Sequence, residues 1–172
     1  DLHSFPTRRS SDLSLLATVI TNYTHLAQTG GAGFVGPLPF TDVVATDSYY
    51  DAVGICWANG YFSGTSATTF SPNDSMTRAM FVTVLYRLAG KPEVSGKTPF
   101  TDLVQDWYGD PVLWAVQQGI TSGTSESTFS PNDAVTREMA AVFLHRYAAK
   151  QGDTLPQTSN PTAVGETSKW AE

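Results

Sequence analysis

Two arginines, each preceded by a threonine, are the residues of this sequence best suited to hold an anion. Thr77-Arg78 and Thr136-Arg137 stand 59 residues apart, and an apolar stretch with helical spacing follows each pair. A threonine at the N-cap of a helix places the positive helix end and its unpaired N–H groups beside the arginine. Because a guanidinium can make two parallel hydrogen bonds to a carboxylate, the pattern predicts a carboxylate-binding site at the start of each helix.

Both pairs belong to a tandem repeat. The segment 63–74 returns as 122–133 with 10 of 12 positions identical, and 39–43 returns as 99–103. In such arrays each unit covers an apolar face of its neighbour, and the arrays bind partners more often than they catalyse reactions. The repeat therefore favours a binding protein made of small modules.

Each unit is predicted to contain two helices. The first begins in unit two with Asp110 as N-cap and Pro111 at the first helical position, and it ends at Gly119. Its counterpart runs from Asp51 to Gly60. The second helix is amphipathic, since apolar residues recur at helical spacing after both Thr-Arg pairs. The predicted fold is mainly α, with tandem helix-loop-helix repeats.

Composition excludes several classes of function. The formal charge is −6 and the sequence has no basic stripe, which argues against nucleic-acid binding. No window approaches the roughly 18 apolar residues of a membrane span. The single cysteine, Cys56, cannot form an internal disulfide and is expected to be a small buried residue. We expect no cofactor and no metal site.

Two alternative functions rest on acidic residues. Asp47 with Asp51, and Asp106 with Asp110, are paired carboxylates that could serve glycoside hydrolysis, but they recur in both units as loop and cap residues do. No Gly-x-Ser-x-Gly motif, phosphate loop or metal-spaced His/Cys cluster occurs, so the chain is predicted not to be an enzyme. The segments 73–74 and 132–133 supply oxygens for calcium, yet their spacing does not fit an EF-hand loop, and capping explains them better.

The order of landmarks within a unit resembles that of the S-layer homology (SLH) module, over residues 39–150. These landmarks are, in unit one, Phe40-Thr41-Asp42, a helix ending at Gly60, Gly64-Thr65, Phe70-Ser71-Pro72, Thr77-Arg78 and an amphipathic helix. The resemblance implies a bundle to which three modules each give one helix. It also implies a non-catalytic role, in which exported bacterial proteins are anchored to a secondary cell-wall polysaccharide, commonly pyruvylated and linked to peptidoglycan.

The family motif Thr-Arg-Ala-Glu places the predicted binding residues. Arg78 and Arg137, with Thr77 and Thr136, occupy its first two positions, and the pyruvate ketal would supply the carboxylate. The final Glu is replaced by methionine at 80 and 139, which removes the reciprocal bond of a capping box. The aromatic residues expected to stack on sugar rings are Trp107, Tyr49 and Tyr108.

The predicted boundaries divide the chain into five parts. Residues 1–13 resemble translated sequencing adapter, 14–38 are an upstream remnant and linker, 39–91 and 98–150 are the two modules, and 151–172 are a linker and the start of a third. Residues 169–172 match 48–51 and 107–110 in this reading. The three-fold bundle is thus expected to be incomplete, which predicts self-association through an uncovered apolar face.

The expected location is extracellular, on the cell wall or S-layer, with the export signal outside this sequence. Two alternatives to polysaccharide anchoring stay open. The chain could be a protein–protein assembly module, or a non-catalytic appendage of a wall-associated glycoside hydrolase whose catalytic part lies elsewhere.

Overall fold

The computed structural model describes residues 12–24 and 33–153, in which the regular elements are helices joined by loops. They contain two isolated β-bridges and no strand. The elements are α1 (Leu13–Tyr23), α2 (Tyr50–Ala58), α3 (Arg78–Leu88), a 3₁₀ turn (Asp106–Tyr108), α4 (Gly109–Gln117) and α5 (Arg137–Gln151). The predicted mainly α fold of helix-loop-helix repeats is confirmed. We call α2 and α4 the outer helices, and α1, α3 and α5 the inner helices.

The outer helices end as predicted but begin differently. Gly60 and Gly119 have φ of 72° and 70°, the left-handed conformation that glycine adopts without strain. Asp110, predicted to be an N-cap, lies inside the first turn of α4, and Asp51 lies inside that of α2. The prediction was wrong because the 3₁₀ turn runs directly into α4, and the N–H of Gly109 already bonds to the Asp106 carbonyl.

The inner helices share one kind of start. Thr77 and Thr136 are the predicted N-caps, and their hydroxyls accept from the backbone N–H of Met80 at 3.3 Å and of Met139 at 3.2 Å. Asp12 caps α1 in the same way, since its carboxylate accepts from the Leu15 N–H at 2.7 Å. Helix α1 is therefore a third member of the inner set, although its sequence carries no Thr-Arg pair.

Each of the first two inner helices is attached at its N-terminus to the loop of the following unit. Leu13 and Arg78, the first residues of α1 and α3, donate their backbone N–H groups to the carbonyls of Asp74 at 3.1 Å and Asp133 at 2.9 Å. The next N–H in each helix bonds to the proline carbonyl of the same loop. The repeated Ser-Pro-Asn-Asp segments are thus the connectors between units.

The loop phenylalanines lie in the core. Phe70 and Phe129 are fully buried. Asp42 accepts from the N–H groups of Phe70 at 2.8 Å and of Ser71 at 2.7 Å, and Asp102 does the same in unit two. These carboxylates act as turn-stabilising acceptors, so the loops enter the core in a defined conformation.

The three inner helices meet in one hydrophobic core. Phe81 of α3 lies 5.8 Å from Phe143 of α5, and Tyr23 of α1 lies 5.9 Å from Tyr147 of α5, both measured between ring centroids. The boundary drawn at residue 13 falls inside α1, and the segment read as linker supplies buried core residues over 16–20. The glycine tract at 30–32 and residues 154–172 lie outside the described residues.

Candidate functional site

Arg78 is buried in the interface between the two units. Only 3% of its surface is exposed. Its Nε donates to the Phe129 carbonyl at 2.9 Å, and the guanidinium carbon lies 4.7 Å from the Phe129 ring centroid and 5.6 Å from that of Phe143. Burial lowers its pKa, although the charges of Asp133 and Asp102 act in the opposite direction. A ligand could reach this guanidinium only if the interface opened, and its predicted anion-binding role stays a prediction.

Arg137 also follows an N-cap threonine, but its environment differs from that of Arg78. It is exposed, and within residues 12–24 and 33–153 no side-chain hydrogen bond or ring contact involves it. Thr136 caps its helix as Thr77 does. The two arginines differ because a following unit covers the start of α3, whereas no described residue covers the start of α5 in that way.

Trp107 is the predicted sugar-stacking residue that presents most surface. It is 47% exposed and makes an edge contact with Tyr108, with 4.8 Å between ring centroids. Tyr108 is a core residue, 1% exposed, whose hydroxyl accepts from the Val104 N–H at 3.2 Å. Tyr49 is half-buried against the core, and burial, followed by the Asp47 carboxylate, raises its pKa. The structure therefore does not bring the three aromatic residues together as one surface.

A half-open cavity of about 410 Å³ lies between α1, unit one and the start of unit two. Leu13 contributes from α1, Trp107 from unit two, and the other walls come from α3 and the loop after α2. Its lining residues are Leu13, Phe62, Ser63, Gly64, Thr65, Met76, Met80, Thr83, Val84, Arg87 and Trp107. The lining combines apolar side chains with three hydroxyl-bearing residues, one arginine and one exposed tryptophan.

Arg87 is the cationic group of this cavity. Its Nη1 donates to the Tyr61 carbonyl at 3.1 Å and lies 3.5 Å from the Ser63 hydroxyl. These contacts orient the guanidinium, and the described residues accept no hydrogen bond from its Nε or Nη2. Burial lowers its pKa without removing its charge at neutral pH. The arrangement can offer directed N–H donors to an anionic oxygen.

Gly64 keeps the mouth of the cavity in its observed shape. Its φ is +76°, and a Cβ at this position would come within 2.6 Å of both Phe40 Cε1 and the Thr69 carbonyl oxygen. A larger residue would be strained and would also displace the loop that carries Ser63 and Thr65. Gly123 is constrained in the same way in unit two, by Phe100 and the Thr128 carbonyl, so the glycine is a requirement of the repeated loop itself.

Sequence reasoning missed Arg87, although a signal was present. Arg87 and Arg146 stand 59 residues apart, the repeat spacing, and Arg146 Nη1 donates to the Ile120 carbonyl at 3.2 Å as Arg87 does to Tyr61. The Thr-Arg pairs placed the predicted sites at helix N-termini, whereas Arg87 lies near the C-terminus of α3, where the helix dipole favours a cation. Only the fold brings Trp107 of the following unit to the same cavity.

Other kinds of site find little support in the described residues. No cluster of three or more His, Cys, Asp or Glu side chains is arranged there to hold a metal ion. None of the described helices is long and apolar enough to cross a bilayer. Cys56 is buried, and burial raises its pKa to about 11, so it is not a reactive thiolate at neutral pH.

Comparison with known proteins adds a family and several relatives. The model of the S-layer homology domain matches residues 39–80 and 99–141. An endoglucanase of Bacillus sp. (strain KSM-635) is 36% identical over 69% of this chain and 13% of its own length. A surface-layer 125 kDa protein of Lysinibacillus sphaericus is 33% identical over 76% of this chain and 11% of its own length. A cellulosome-anchoring protein of Acetivibrio thermocellus is 29% identical over 70% of this chain and 28% of its own length. The chain thus spans a small part of each relative.

Proposed function

Because residues 39–80 and 99–141 belong to the S-layer homology family, we propose that this chain holds an exported protein on the bacterial cell wall by binding a secondary cell-wall polysaccharide. S-layer homology domains anchor surface proteins, and the relatives include a surface-layer protein and a cellulosome-anchoring protein. The chain itself is a non-catalytic module with a cell-surface location in this proposal.

The observation that carries the proposal is the cavity shared by Arg87 and Trp107. An exposed indole offers a flat apolar face to a sugar ring, and the hydroxyl-bearing residues Ser63, Thr65 and Thr83 line the same space. A cavity of about 410 Å³ has the size of small-molecule sites and suits one or two sugar residues. This combination fits a carbohydrate better than a peptide strand, since no unpaired sheet edge is present in the described chain.

The guanidinium makes an anionic sugar the favoured ligand. Arg87 is held by two contacts of Nη1, and a carboxylate such as a pyruvate ketal could accept from its other N–H groups. The overall charge of −6 does not oppose this, because a partly buried cation acts at short range while distant surface charges are screened by salt. Arg137 remains a proposed second contact, since it is exposed at the start of α5.

Retention of the chain on purified cell walls tests the proposal. We expect binding to native walls and its loss on walls stripped of their polysaccharide. Trp107→Ala and Arg87→Gln should each weaken retention about tenfold, which corresponds to roughly 1.4 kcal/mol. Arg146→Gln is the matched control, because Arg146 makes the equivalent carbonyl contact in unit two and does not line this cavity.

Three results would contradict parts of this reading. Equal retention on native and stripped walls would remove the polysaccharide as ligand. Full retention of both cavity variants, with loss in Arg137→Ala, would move the site to the start of α5. Cleavage of the polymer by the chain would contradict its non-catalytic role.

The similarity to an endoglucanase supports a narrower version of the same role. That relative is matched over 13% of its length, so the matched part is a small module of a larger enzyme. We propose that a chain of this kind can serve as the wall-binding appendage of a hydrolase. Fusion of an unrelated reporter enzyme to the chain should place that activity in the wall fraction, and a reporter that stays soluble would contradict this role.

A further inference from the structure

Trp107 reaches the cavity from a connection that is one residue shorter than its counterpart in unit one. Residues 104–108 correspond to residues 44–49 of that unit. The shorter connection forms the 3₁₀ turn 106–108, with Trp107 at its middle position. In unit one the place of the tryptophan is taken by Ser48. The tryptophan therefore belongs to one unit and is not a requirement of the repeat.

The two connections fix their backbones with different groups. In unit one, the Val44 N–H donates to the Asp47 carboxylate at 2.8 Å, and the Asp47 N–H donates to the Val44 carbonyl at 2.9 Å. In unit two, the Val104 N–H donates to the Tyr108 hydroxyl at 3.2 Å. None of these bonds involves the Trp107 indole. The backbone of this connection can thus be fixed without a tryptophan, so closing the turn does not account for the residue.

The Trp107 indole is held by two different contacts. Its Nε1 donates to the side-chain carbonyl of Gln105 at 2.5 Å. Its ring meets the Tyr108 ring edge-on, with 4.8 Å between the centroids and 77° between the planes. Because Tyr108 is a core residue, the second contact attaches the indole to the body of the molecule. The two contacts together restrict the orientation of a side chain that is otherwise exposed to water.

Gln105 acts on the cavity only through Trp107. Its side chain is exposed and does not line the cavity. An exposed indole that rotates freely loses this freedom when a sugar ring stacks on it, and the loss weakens binding. A hydrogen bond already present in the free protein removes part of that cost. We infer that Gln105 is a positioning residue, which holds the Trp107 indole in the orientation that lines the cavity; this inference rests on the proposed function.

Nuclear magnetic resonance of the free chain tests the positioning itself. The chain has four tryptophans, and the indole N–H resonance of Trp107 is identified by its absence from the spectrum of Trp107→Phe. We expect Gln105→Leu, which has no acceptor, to lower the heteronuclear NOE of this N–H because the indole becomes more mobile. Gln105→Glu should preserve the NOE, since a carboxylate accepts the same hydrogen bond. An indole that is equally rigid in the parent chain and in Gln105→Leu would overturn the inference.

A double-mutant cycle on purified native cell walls tests the consequence for binding. Gln105→Leu should weaken retention of the full chain about fivefold, which is less than the loss expected for Trp107→Ala. Trp107→Phe keeps an aromatic ring but has no indole N–H. In that background Gln105→Leu should leave retention unchanged, because the bond that it removes is already absent. Equal weakening in both backgrounds would mean that Gln105 acts independently of Trp107, and it would overturn the positioning role.

The two measurements separate this inference from the proposed function. A parent chain that is not retained on native walls would overturn the proposed function, and this inference with it. A parent chain that is retained, together with a Gln105→Leu variant that binds equally well, would overturn the role of Gln105 alone. Thermal unfolding of Gln105→Leu should match that of the parent chain, because Gln105 and Trp107 are both exposed. A marked loss of stability would assign the pair to the fold and overturn the inference.

Discussion

Leu13 and Arg78 occupy the same position in two successive inner helices, and each donates its backbone N–H to an aspartate carbonyl of the following loop, at 3.1 Å and 2.9 Å. Their side chains use the equivalent space differently. Arg78 reaches the Phe129 carbonyl and lies against two phenylalanine rings, whereas Leu13 ends at the wall of the cavity that contains Arg87. The interface at the start of α1 therefore contains a cavity at the position where the interface at the start of α3 contains the Arg78 guanidinium.

Replacement of Leu13 by arginine should reduce that cavity. By analogy with Arg78, the new guanidinium should donate to the Phe70 carbonyl and lie against the Phe70 ring. We expect wall retention to fall at least tenfold while thermal stability changes little. Leu13→Met, which adds no donor, is the control. A crystal structure of Leu13→Arg would show whether the new side chain fills the cavity. If it does and retention is unchanged, this cavity is not the binding site.

Arg78 and Arg137 should contribute very differently to stability. Arg78→Ala leaves the Phe129 carbonyl without its side-chain donor in a buried interface, and we expect a loss of about 2 kcal/mol in the free energy of unfolding. Arg137→Ala removes an exposed side chain and should change it by less than about 0.5 kcal/mol. Urea unfolding measures both. Equal losses would mean that Arg137 has a partner of comparable strength.

Gly64 and Gly60 form a matched pair for testing the loop beside the cavity. Both have positive φ, so alanine should cost about 1 kcal/mol at either position from backbone strain alone. At Gly64 the added Cβ would also meet Phe40 and the Thr69 carbonyl, whereas nothing lies within 4 Å of a Cβ at Gly60. We expect Gly64→Ala to lower the melting temperature clearly more than Gly60→Ala. A similar decrease for both would show that the loop adapts without cost.

Asp102 should link stability to acidic pH. Burial acts to raise its pKa, but hydrogen bonds from the backbone N–H groups of Phe129 and Ser130 hold the pKa below its ordinary value in the fold. A carboxylate with a depressed folded-state pKa contributes stability that is complete above its unfolded pKa, about 3.9, and is lost as the pH falls. Asp102→Asn should therefore destabilise the chain most near neutral pH and progressively less below pH 4.

Unfolding by urea across this pH range provides the measurement. Glu126→Gln, a change in an exposed residue of the same loop region, is the control and should alter stability little at any pH. A difference between Asp102→Asn and the parent chain that stays constant down to pH 2 would show that the hydrogen bonds to Asp102 do not depend on its charge.

The short-range features were readable from the sequence because they depend on neighbouring residues. Thr77 and Thr136 cap their helices, Gly60 and Gly119 end the outer helices, and the repeat spacing separates the two units. The caps and the helix ends follow from backbone requirements within a few residues. The predicted cap at Asp110 was wrong for a related reason, because a 3₁₀ turn ahead of it had already satisfied the backbone.

Features that depend on long-range packing required the tertiary structure. Arg78 and Arg137 both follow an N-cap threonine in the sequence, yet the first is buried because the next unit covers it and the second is exposed. Arg87 and Trp107 meet at one cavity from different units, and α1 joins the core without any repeat signature. Local sequence specifies what a side chain can do, whereas neighbours distant in the chain determine whether water, a carbonyl or a ligand is within its reach.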